Sequence, residues 1–166
     1  MICPVCGEEN LQGSDQCGNC GTDLRTADIP HPGTTFEQGL VAAPLGSLSP
    51  QAPVTVSSAT PAGDAIRLMQ DAPGACLVVE DAGRVVGIFT ERDAVLKLAG
   101  RPLDGLTVGQ VMTCDPVVLR HGDGMAVAIH KMAVGGFRHI PLVEDGRATG
   151  IVSATDLFRY ILQEID

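Results

Sequence analysis

The alternation of apolar and polar residues beyond residue 40 predicts the same order of elements twice. In the first copy, a strand over residues 54–56 precedes a helix with apolar residues at helical spacing around residues 65–69. Two strands joined by a turn follow, CLVV-EDAG-RVVGIF, and a second helix is predicted over residues 91–99. This copy therefore has the order β-α-β-β-α.

The second copy repeats that order. It has a strand over residues 117–119, a helix around residues 128–132, the hairpin IPLV-EDG-RATGIV and a helix over residues 154–165. A shift of 63 positions superimposes the copies and brings Pro53 onto Pro116. The similar letters CLVVED and IPLVED imply one extra residue before the second hairpin and one fewer in its turn, since length changes fall in loops. We place the repeats at residues 40–103 and 104–166.

Each repeat predicts a sheet that two helices cover on one face. The other face would be exposed in a single copy, so the two copies are expected to pack together with pseudo-two-fold symmetry and a cleft at their seam. The predicted fold class is α/β (α+β), with two β-α-β-β-α repeats and a small N-terminal metal-binding segment.

Four of the six cysteines form two Cys-x2-Cys pairs separated by ten residues: Cys3, Cys6, Cys17 and Cys20. Two such turns can direct four thiolates at one point, the tetrahedral arrangement that Zn²⁺ accepts. Gly7 and Gly21 follow the pairs, and a glycine there permits the positive φ that turns backbone N–H groups towards the thiolates. Four thiolates close the coordination shell, so the expected zinc is structural. Iron held by the same sulfurs, two disulfides and a redox dithiol are the alternatives.

The segment CPVCGEEN…CGNCGTDL resembles the short zinc ribbons found at the front of many prokaryotic proteins. This resemblance implies a structural or protein-interaction appendage at residues 1–25, and so short a segment is expected to fold only with its metal. Residues 26–39 mix Pro, Gly, Thr and Asp without an apolar period, which is typical of a linker.

The charge of the chain limits its partners. The net charge is −9, from 20 acidic and 11 basic residues, with no run of Lys or Arg. Such a chain repels phosphate backbones, so nucleic acid is not an expected partner. We find neither an apolar signal core after Met1 nor an apolar stretch of about 18 residues, which predicts a cytoplasmic protein without a membrane span.

A common motif ends the hairpin of each repeat, GIFTERD at residues 87–93 and GIVSATD at residues 150–156. A hydroxyl at a helix N-cap with an Asp three residues later forms a capping box, here Thr90 with Asp93 and Ser153 with Asp156. A helix N-terminus with a hydroxyl can also bind a phosphate, and a carboxylate can accept hydrogen bonds from the vicinal hydroxyls of a ribose. The duplicated motif therefore has a second interpretation, a nucleotide site.

Residues 40–166 resemble a tandem pair of CBS domains, or Bateman module. Three features carry the resemblance: the Pro-Val strand starts, the segment RHIPLVED at 138–145 and the two G-h-h-T/S-x-x-D motifs. It implies an adenosine ligand such as AMP, ADP, ATP or S-adenosylmethionine, and we also expect a homodimer through the CBS module. The implied ligand contacts are Thr90, Asp93, Ser153 and Asp156, with Thr55 and Val118 beside the base.

The two repeats differ where the ligand is expected. Arg138-His139 opens the second hairpin, and by similarity of letters Gly74-Ala75 holds that place in the first. An arginine can clamp a phosphate and a histidine can assist it, although a surface ion pair and a half-buried imidazole explain them equally well. We therefore expect unequal sites, and one good site is favoured over two.

These observations favour a regulatory, non-catalytic protein that binds an adenosine nucleotide between its repeats and contacts a protein partner through its zinc ribbon. The alternative is a structural or assembly module in which the motifs only cap helices. An enzyme would require an acid–base pair or an open metal position, and we identify neither in the sequence.

Overall fold

The computed structural model describes residues 2–165 except for residues 4, 11–13, 25–33 and 72–75. The helices are α1 (Thr35–Ala42), α2 (Ala62–Asp71), α3 (Glu91–Leu98), α4 (Met125–Gly135) and α5 (Ala154–Ile165). The strands are β1 (Val54–Val56), β2 (Cys76–Asp81), β3 (Arg84–Thr90), β4 (Thr113–Cys114), β5 (His139–Glu144) and β6 (Arg147–Ser153). Short 3-10 helices lie at Leu45–Leu48 and Val108–Gln110.

The described residues form two compact units that do not coincide with the two repeats. One unit, here called the helical unit, draws on Met1–Ser49, His121–Arg138 and Ala154–Asp166, and contains α1, α4 and α5. The other, here called the sheet unit, draws on Pro50–Arg120 and His139–Ser153. The sheet unit contains both β-hairpins with α2 and α3, so the second repeat contributes to both units.

The sheet unit is built on two hairpins. Strands β1, β2, β3 and β4 form one sheet in that order, with β1 parallel to β2 and the other pairs antiparallel, while β5 and β6 pair separately. The strands of the first hairpin are rich in Val and Ile, which suit a pleated, buried surface. Leu77, Val79 and Phe89 pack in one core cluster with Ala65 and Met69 of α2. The predicted order of elements in the first repeat is confirmed.

Residues near the start of each repeat pair with the hairpin of the other repeat. Strand β4, near the start of the second repeat, pairs with Gly87 and Ile88 of β3. Conversely, Gln51 near the start of the first repeat forms a bridge with Ile151 of β6. The Ile151 N–H donates to the Gln51 carbonyl at 3.0 Å. Each hairpin is therefore extended by the other repeat, and neither copy alone forms all of the observed pairing.

The two hairpins have the same length, which corrects the alignment inferred from the sequence. Each turn contains two residues, Ala82-Gly83 and Asp145-Gly146, and all four have the positive φ that a type I′ turn requires. A bulge interrupts each hairpin at equivalent places, Val79/Glu80 and Leu142/Val143. The inferred gain of one residue and its compensating loss are therefore wrong, because the similar letters of the strands align one position out of register.

The observed register also changes the counterpart of His139. Cys76 pairs with Thr90, and His139 pairs with Ser153, so the shift of 63 positions holds within the strands. Cys76 is therefore the structural counterpart of His139. The Gly74-Ala75 segment, to which the letters had assigned that place, lies outside the described residues.

The strand predicted over residues 117–119 is not formed. Strand β4 lies earlier, and within 117–119 it is Leu119 that forms an isolated parallel bridge to β5. Asp115 has a φ of 45°, and Pro116 has no N–H to donate. The chain thus passes from pairing with β3 at Cys114 to pairing with β5 at Leu119, and the pairing within 117–119 is limited to that one bridge.

In the helical unit, α1 and α5 both contact α4. Helix α1 begins at Thr35, inside the segment interpreted as a linker at 26–39, and residues 25–33 lie outside the described residues. Gly124 allows the last turn of α1 to approach closely, since a Cβ there would lie 2.7 Å from the Val41 carbonyl oxygen. Among the described residues, we find no helix with the length and apolar character needed to cross a membrane.

Candidate functional site

The four N-terminal cysteine sulfurs converge on one point. The Sγ atoms of Cys3, Cys6, Cys17 and Cys20 all lie within 4.8 Å of one another. Cys3 Sγ lies 3.6 Å from Cys20 Sγ, and Cys6 Sγ lies 3.5 Å from Cys17 Sγ. Four sulfurs placed about 2.3 Å from a zinc ion form a tetrahedron with edges of about 3.8 Å. The cluster therefore fits a tetrahedral metal, and its thiolate chemistry suits zinc or iron.

The glycines after each cysteine pair close the turns of the cluster. Gly7 and Gly21 have φ values of 73° and 71°, as their positions predict. Their N–H groups donate to the carbonyl oxygens of Cys3 and Cys17, at 3.0 and 2.9 Å. The expectation that backbone N–H groups turn towards the thiolates is confirmed by other donors, since the Glu8 N–H points at the Cys6 sulfur and the Cys20 N–H at the Cys17 sulfur.

Hydrogen bonds around Cys17 and Cys20 favour the thiolate form that a metal requires. The backbone N–H of Cys20 holds the pKa of the Cys17 thiol down to about 6, and Asn10 Nδ2 donates to the same sulfur at 3.6 Å. The Thr22 hydroxyl lies 3.0 Å from Cys20 Sγ and lowers the pKa of that thiol. Both shifts favour the thiolate form, which is the form that binds a metal.

Within the helical unit, a buried ion pair joins the cysteine segment to α4. Lys131 of α4 is 3% exposed and pairs with the carboxylate of Asp15, which lies between the two cysteine pairs. A buried ammonium group requires partners, and the carboxylate of Asp15 is one of them. Sequence reasoning did not single out either residue, and the available signal was a lysine on the apolar face of a predicted helix.

The motif of the first repeat forms the predicted capping box. Thr90 is the N-cap of α3, and its hydroxyl accepts from the Asp93 N–H at 3.3 Å. In return, Asp93 Oδ2 accepts from the Thr90 N–H at 3.1 Å and from the Thr90 hydroxyl at 2.7 Å. One carboxylate oxygen of Asp93 is thus used by the cap itself.

The other oxygen of Asp93 is engaged by residues outside the motif. Oδ1 accepts from the Thr113 hydroxyl at 2.9 Å and lies 2.7 Å from Lys97 Nζ. Lys97 Nζ also donates to the carbonyls of Val111 and Met112, at 2.8 and 2.9 Å. Burial raises the pKa of Asp93, but its hydrogen bonds, with that from Lys97 the largest, outweigh burial and lower the pKa. Asp93 and Lys97 therefore hold residues 111–113, which lead into β4, against α3.

The glycine of the first motif also has a packing role. A Cβ at Gly87 would lie 2.5 Å from Met112 Sδ and 3.0 Å from the Thr113 carbonyl oxygen. Any side chain at this position would collide with the segment that enters β4. The glycine three residues before Thr90 is therefore explained by strand exchange between the repeats.

In the sheet unit, two predicted site residues of the second repeat are brought together. His139 and Ser153 are cross-strand partners at the open end of the second hairpin, and both are half-buried. The equivalent pair in the first hairpin is Cys76 and Thr90. Burial raises the pKa of the Cys76 thiol to about 12, so this position carries a neutral thiol in one repeat and an imidazole in the other.

Two further predicted residues of the second repeat, Asp156 and Arg138, lie in the helical unit. Asp156 stands in the first turn of α5, with Oδ1 3.5 Å from Arg159 Nη1. Its side chain is 27% exposed, compared with 9% for Asp93. Arg138 is exposed, and its carbonyl accepts from the Ala154 N–H at 2.9 Å at the start of α5.

A pocket of about 290 Å³ lies in the sheet unit beside the two hairpin turns. The turns touch through a hydrogen bond of 2.9 Å from the Val85 N–H to the Gly146 carbonyl. The lining residues are Arg84, Val85, Asp115, Pro116, Val118, Val143 and Gly146. Among these seven, Val118 is the one predicted to contact a ligand, whereas Thr55 lies exposed on β1.

Comparison with known proteins identifies the family to which this architecture belongs. The CBS domain model matches residues 46–100 and 108–163, more than half of the chain, in two copies. The chain belongs to the CBS-domain family. The predicted tandem CBS pair and its fold class are thus confirmed, and proteins of this family are typically regulatory or sensor modules.

Three relatives illustrate the similarity. A CBS-domain containing protein of Agrobacterium tumefaciens is 33% identical, with a TM-score of 0.64 over 71% of this chain and 98% of that chain. The CBS domain pair of protein MJ0100, solved in complex with 5′-methylthioadenosine and S-adenosyl-L-methionine, is 23% identical, with a TM-score of 0.64 over the same shares. An uncharacterized 17.7 kDa protein of Acidianus ambivalens is 38% identical over 90 residues. That match covers 54% of this chain and 54% of the relative, about half of its length.

Proposed function

We propose that this CBS pair is a non-catalytic regulator that binds an adenosine-containing ligand, either AMP, ADP, ATP or S-adenosylmethionine, through its duplicated T/S-x-x-D motifs. The observation that carries the proposal is the repetition of a hydroxyl and a carboxylate where each hairpin leads into a helix, at Thr90 and Asp93 and again at Ser153 and Asp156. Support comes from the CBS pair of protein MJ0100, which was solved with adenosine ligands.

Each proposed contact has a chemical reason. The carboxylate of a motif accepts from the ribose hydroxyls, while the hydroxyl and the helix N-terminus donate to a phosphate. Arg138 and His139 add donors for a phosphate in the second repeat. Thr55 and Val118 are the proposed neighbours of the base. Val118 lines a pocket of about 290 Å³, close to the lower limit of about 300 Å³ for small-molecule sites.

We further propose that Cys3, Cys6, Cys17 and Cys20 hold one structural zinc ion. When bound, the metal would cross-link the two turns of a segment that buries few other apolar side chains. The proposal includes a protein partner for this ribbon, for which Ile2 and Val5 are apolar and about 70% exposed, at 72% and 70%. We also propose that the chain forms a homodimer through the CBS module and that it is cytoplasmic.

A structural or assembly module without a ligand is the second candidate. The observation that favours it is the carboxylate of Asp93, both of whose oxygens already accept hydrogen bonds within the chain. In that case the motifs cap helices, and the first motif also holds the start of the second repeat by hydrogen bonds.

A thermal-shift screen with AMP, ADP, ATP, NAD and S-adenosylmethionine separates these candidates. A ligand at about 100 times its Kd stabilises the folded state by about 2.7 kcal/mol, which corresponds to a rise in Tm of about 5–10 °C for a chain of this size. The rise should be lost in at least one of the variants Asp93→Ala and Asp156→Ala. No shift with any ligand would favour the structural module, and turnover of a ligand would favour an enzyme.

A further inference from the structure

We infer that the metal-bound cysteine segment (residues 2–24) docks onto helix α4 through the ion pair of Asp15 and Lys131, so that zinc binding and the packing of α4 are coupled. Zinc binding by this segment is part of the proposed function, on which the inference rests. The coupling gives the ribbon a partner within its own chain. It also makes Lys131, which lies outside the sulfur cluster, a determinant of zinc affinity.

Lys131 is the one cation among the buried residues of α4. It is 3% exposed, and the other buried residues of this helix are apolar: Met125, Val127, Ala128 and Met132. An ammonium group removed from water exchanges its hydration for acceptors in the chain, and the Asp15 carboxylate is one of them. A change that moves Asp15 away therefore costs the helical unit an acceptor for a buried charge.

The position of Asp15 depends on the fold of the cysteine segment. Its carbonyl accepts from the Leu24 N–H at 2.8 Å, and Leu24 packs with Cys3 and Cys17 in one small core cluster. Because so small a core gives little stability by itself, bonds from the thiolates to a metal are expected to supply most of it. Loss of the metal therefore releases the pairing that holds Asp15 beside α4.

The two side chains of the ion pair differ in exposure. The Asp15 side chain is 54% exposed and is readily hydrated after release, whereas Lys131 stays buried in α4. The cost of separating the pair thus falls mainly on α4. Because coupling is reciprocal, the factor by which docking strengthens zinc binding equals the factor by which zinc strengthens docking.

The cysteine segment is also tethered to α4 by contacts other than this ion pair. After α1, the Leu45 N–H donates to the Asp123 carbonyl at 2.8 Å, and the Met125 N–H donates to the Ala43 carbonyl at 2.9 Å. These bonds hold the chain that follows the cysteine segment at the start of the same helix. Docking is therefore an intramolecular step, which a high effective concentration favours.

Zinc affinities of the full chain, measured by competition with a chromophoric chelator, test the coupling. Lys131→Met replaces the ammonium group by an apolar side chain of similar length, and Asp15→Asn removes the charge while keeping the size. Each should weaken zinc binding by about tenfold, the loss expected for a hydrogen bond to a charged group. The double variant should lose no more than either single variant. Arg67→Met, which removes an exposed cation of α2 in the sheet unit, should bind zinc as the unaltered chain does.

The direction of the two changes distinguishes docking from a long-range effect of charge. Lys131 and Asp15 carry opposite charges, so their fields alone would change the zinc affinity in opposite directions. Docking lowers the affinity in both variants. As a second readout, removing zinc with a chelator should lower the Tm of the helices, followed by circular dichroism, by about 3–5 °C more in the unaltered chain than in Lys131→Met.

The outcomes separate this inference from the proposed function. Unchanged zinc affinity in both single variants, or changes in opposite directions, would overturn the docking and leave the structural zinc standing. A chain that binds no zinc would overturn the docking and the zinc together, while the adenosine ligand is tested by its own binding. Should Lys131→Met fail to fold, Asp15→Asn decides by comparison with Glu8→Gln, which removes another exposed carboxylate of the same segment. A larger loss in Asp15→Asn supports docking, and an equal loss overturns it.

Discussion

His139 lies opposite Ser153 at the open end of the second hairpin. This register places an imidazole beside the hydroxyl of the second motif, whereas the first motif has the thiol of Cys76. We predict that His139→Ala weakens AMP binding by about tenfold, because a hydrogen bond to a charged group contributes about 1.5 kcal/mol or more. Adenosine, which has no phosphate, should lose less than about twofold on the same basis. Calorimetric affinities for both ligands check this, and an equal loss for both would show that His139 does not act on the phosphate.

Strand exchange between the repeats predicts a severe effect at Gly87. A Cβ there would meet Met112 Sδ at 2.5 Å, so Gly87→Ala should lower the free energy of unfolding by about 1–3 kcal/mol, the usual cost of overpacking. Gly39→Ala is the matched control, since Gly39 lies in α1 with no atom within 4 Å of the added carbon. Urea unfolding monitored by circular dichroism measures both. Equal stability of the two variants would mean that β4 is not held against β3 in solution.

The sulfur cluster predicts about one zinc ion per chain. Replacing one of four ligands should strongly reduce metal content, so Cys17→Ser is expected to lose its zinc and to unfold its ribbon. Cys114→Ser is the control, because Cys114 is exposed on β4 and lies outside the cluster. Elemental analysis of the purified proteins gives the metal and its amount. Iron in place of zinc, or full metal content in Cys17→Ser, would contradict the structural zinc.

The lowered pKa of Asp93 predicts how stability depends on pH. The pKa of this carboxyl in the folded chain lies below its ordinary value of 3.8, so the unfolded chain takes up the proton first as the pH falls. The stabilisation by Asp93 is therefore complete above about pH 5 and is lost as the pH falls through 3.8 and then through the folded pKa.

The comparison with Asp93→Asn isolates this effect, because both proteins retain the same ribbon. At pH 7 the variant should be less stable by about 1–3 kcal/mol, since Lys97 and Thr113 lose a charged partner. Urea unfolding at a series of pH values should show this difference shrinking below pH 4. A difference that stays constant down to pH 3 would mean that the Asp93 carboxylate is not the group that Lys97 holds.

Local patterns predicted most of the elements. The period of apolar residues located both hairpins and four of the five helices, because each element of this kind records its buried face in its own residues. The capping box of Thr90 and Asp93 and the cysteine cluster were also predictable, since their members are close in sequence. The pair of Asp93 and Lys97 could have been found as well, because residues four apart share one face of a helix.

Contacts between distant residues could not be predicted in this way. Lys131 and Asp15 are 116 positions apart, and nothing in the pattern of either segment indicates the other. The bridge between Gln51 and Ile151 depends equally on tertiary pairing. The similar letters CLVVED and IPLVED favoured a false register, which the equal length of the two hairpin turns corrects. These long-range pairings therefore emerged only from the structure.

The most direct test of the account is the affinity of the chain for AMP and S-adenosylmethionine when a single carboxylate is changed. Asp156→Asn keeps the size of the side chain but removes the charge that would accept the ribose hydroxyls. We predict an affinity lower by about tenfold to a hundredfold, from about 1.5–3 kcal/mol for such bonds. Asp145→Asn, the same substitution in the exposed turn of the second hairpin, should bind as the unaltered chain does. Unchanged affinity in Asp156→Asn, or no binding of either ligand to the unaltered chain, would contradict the account.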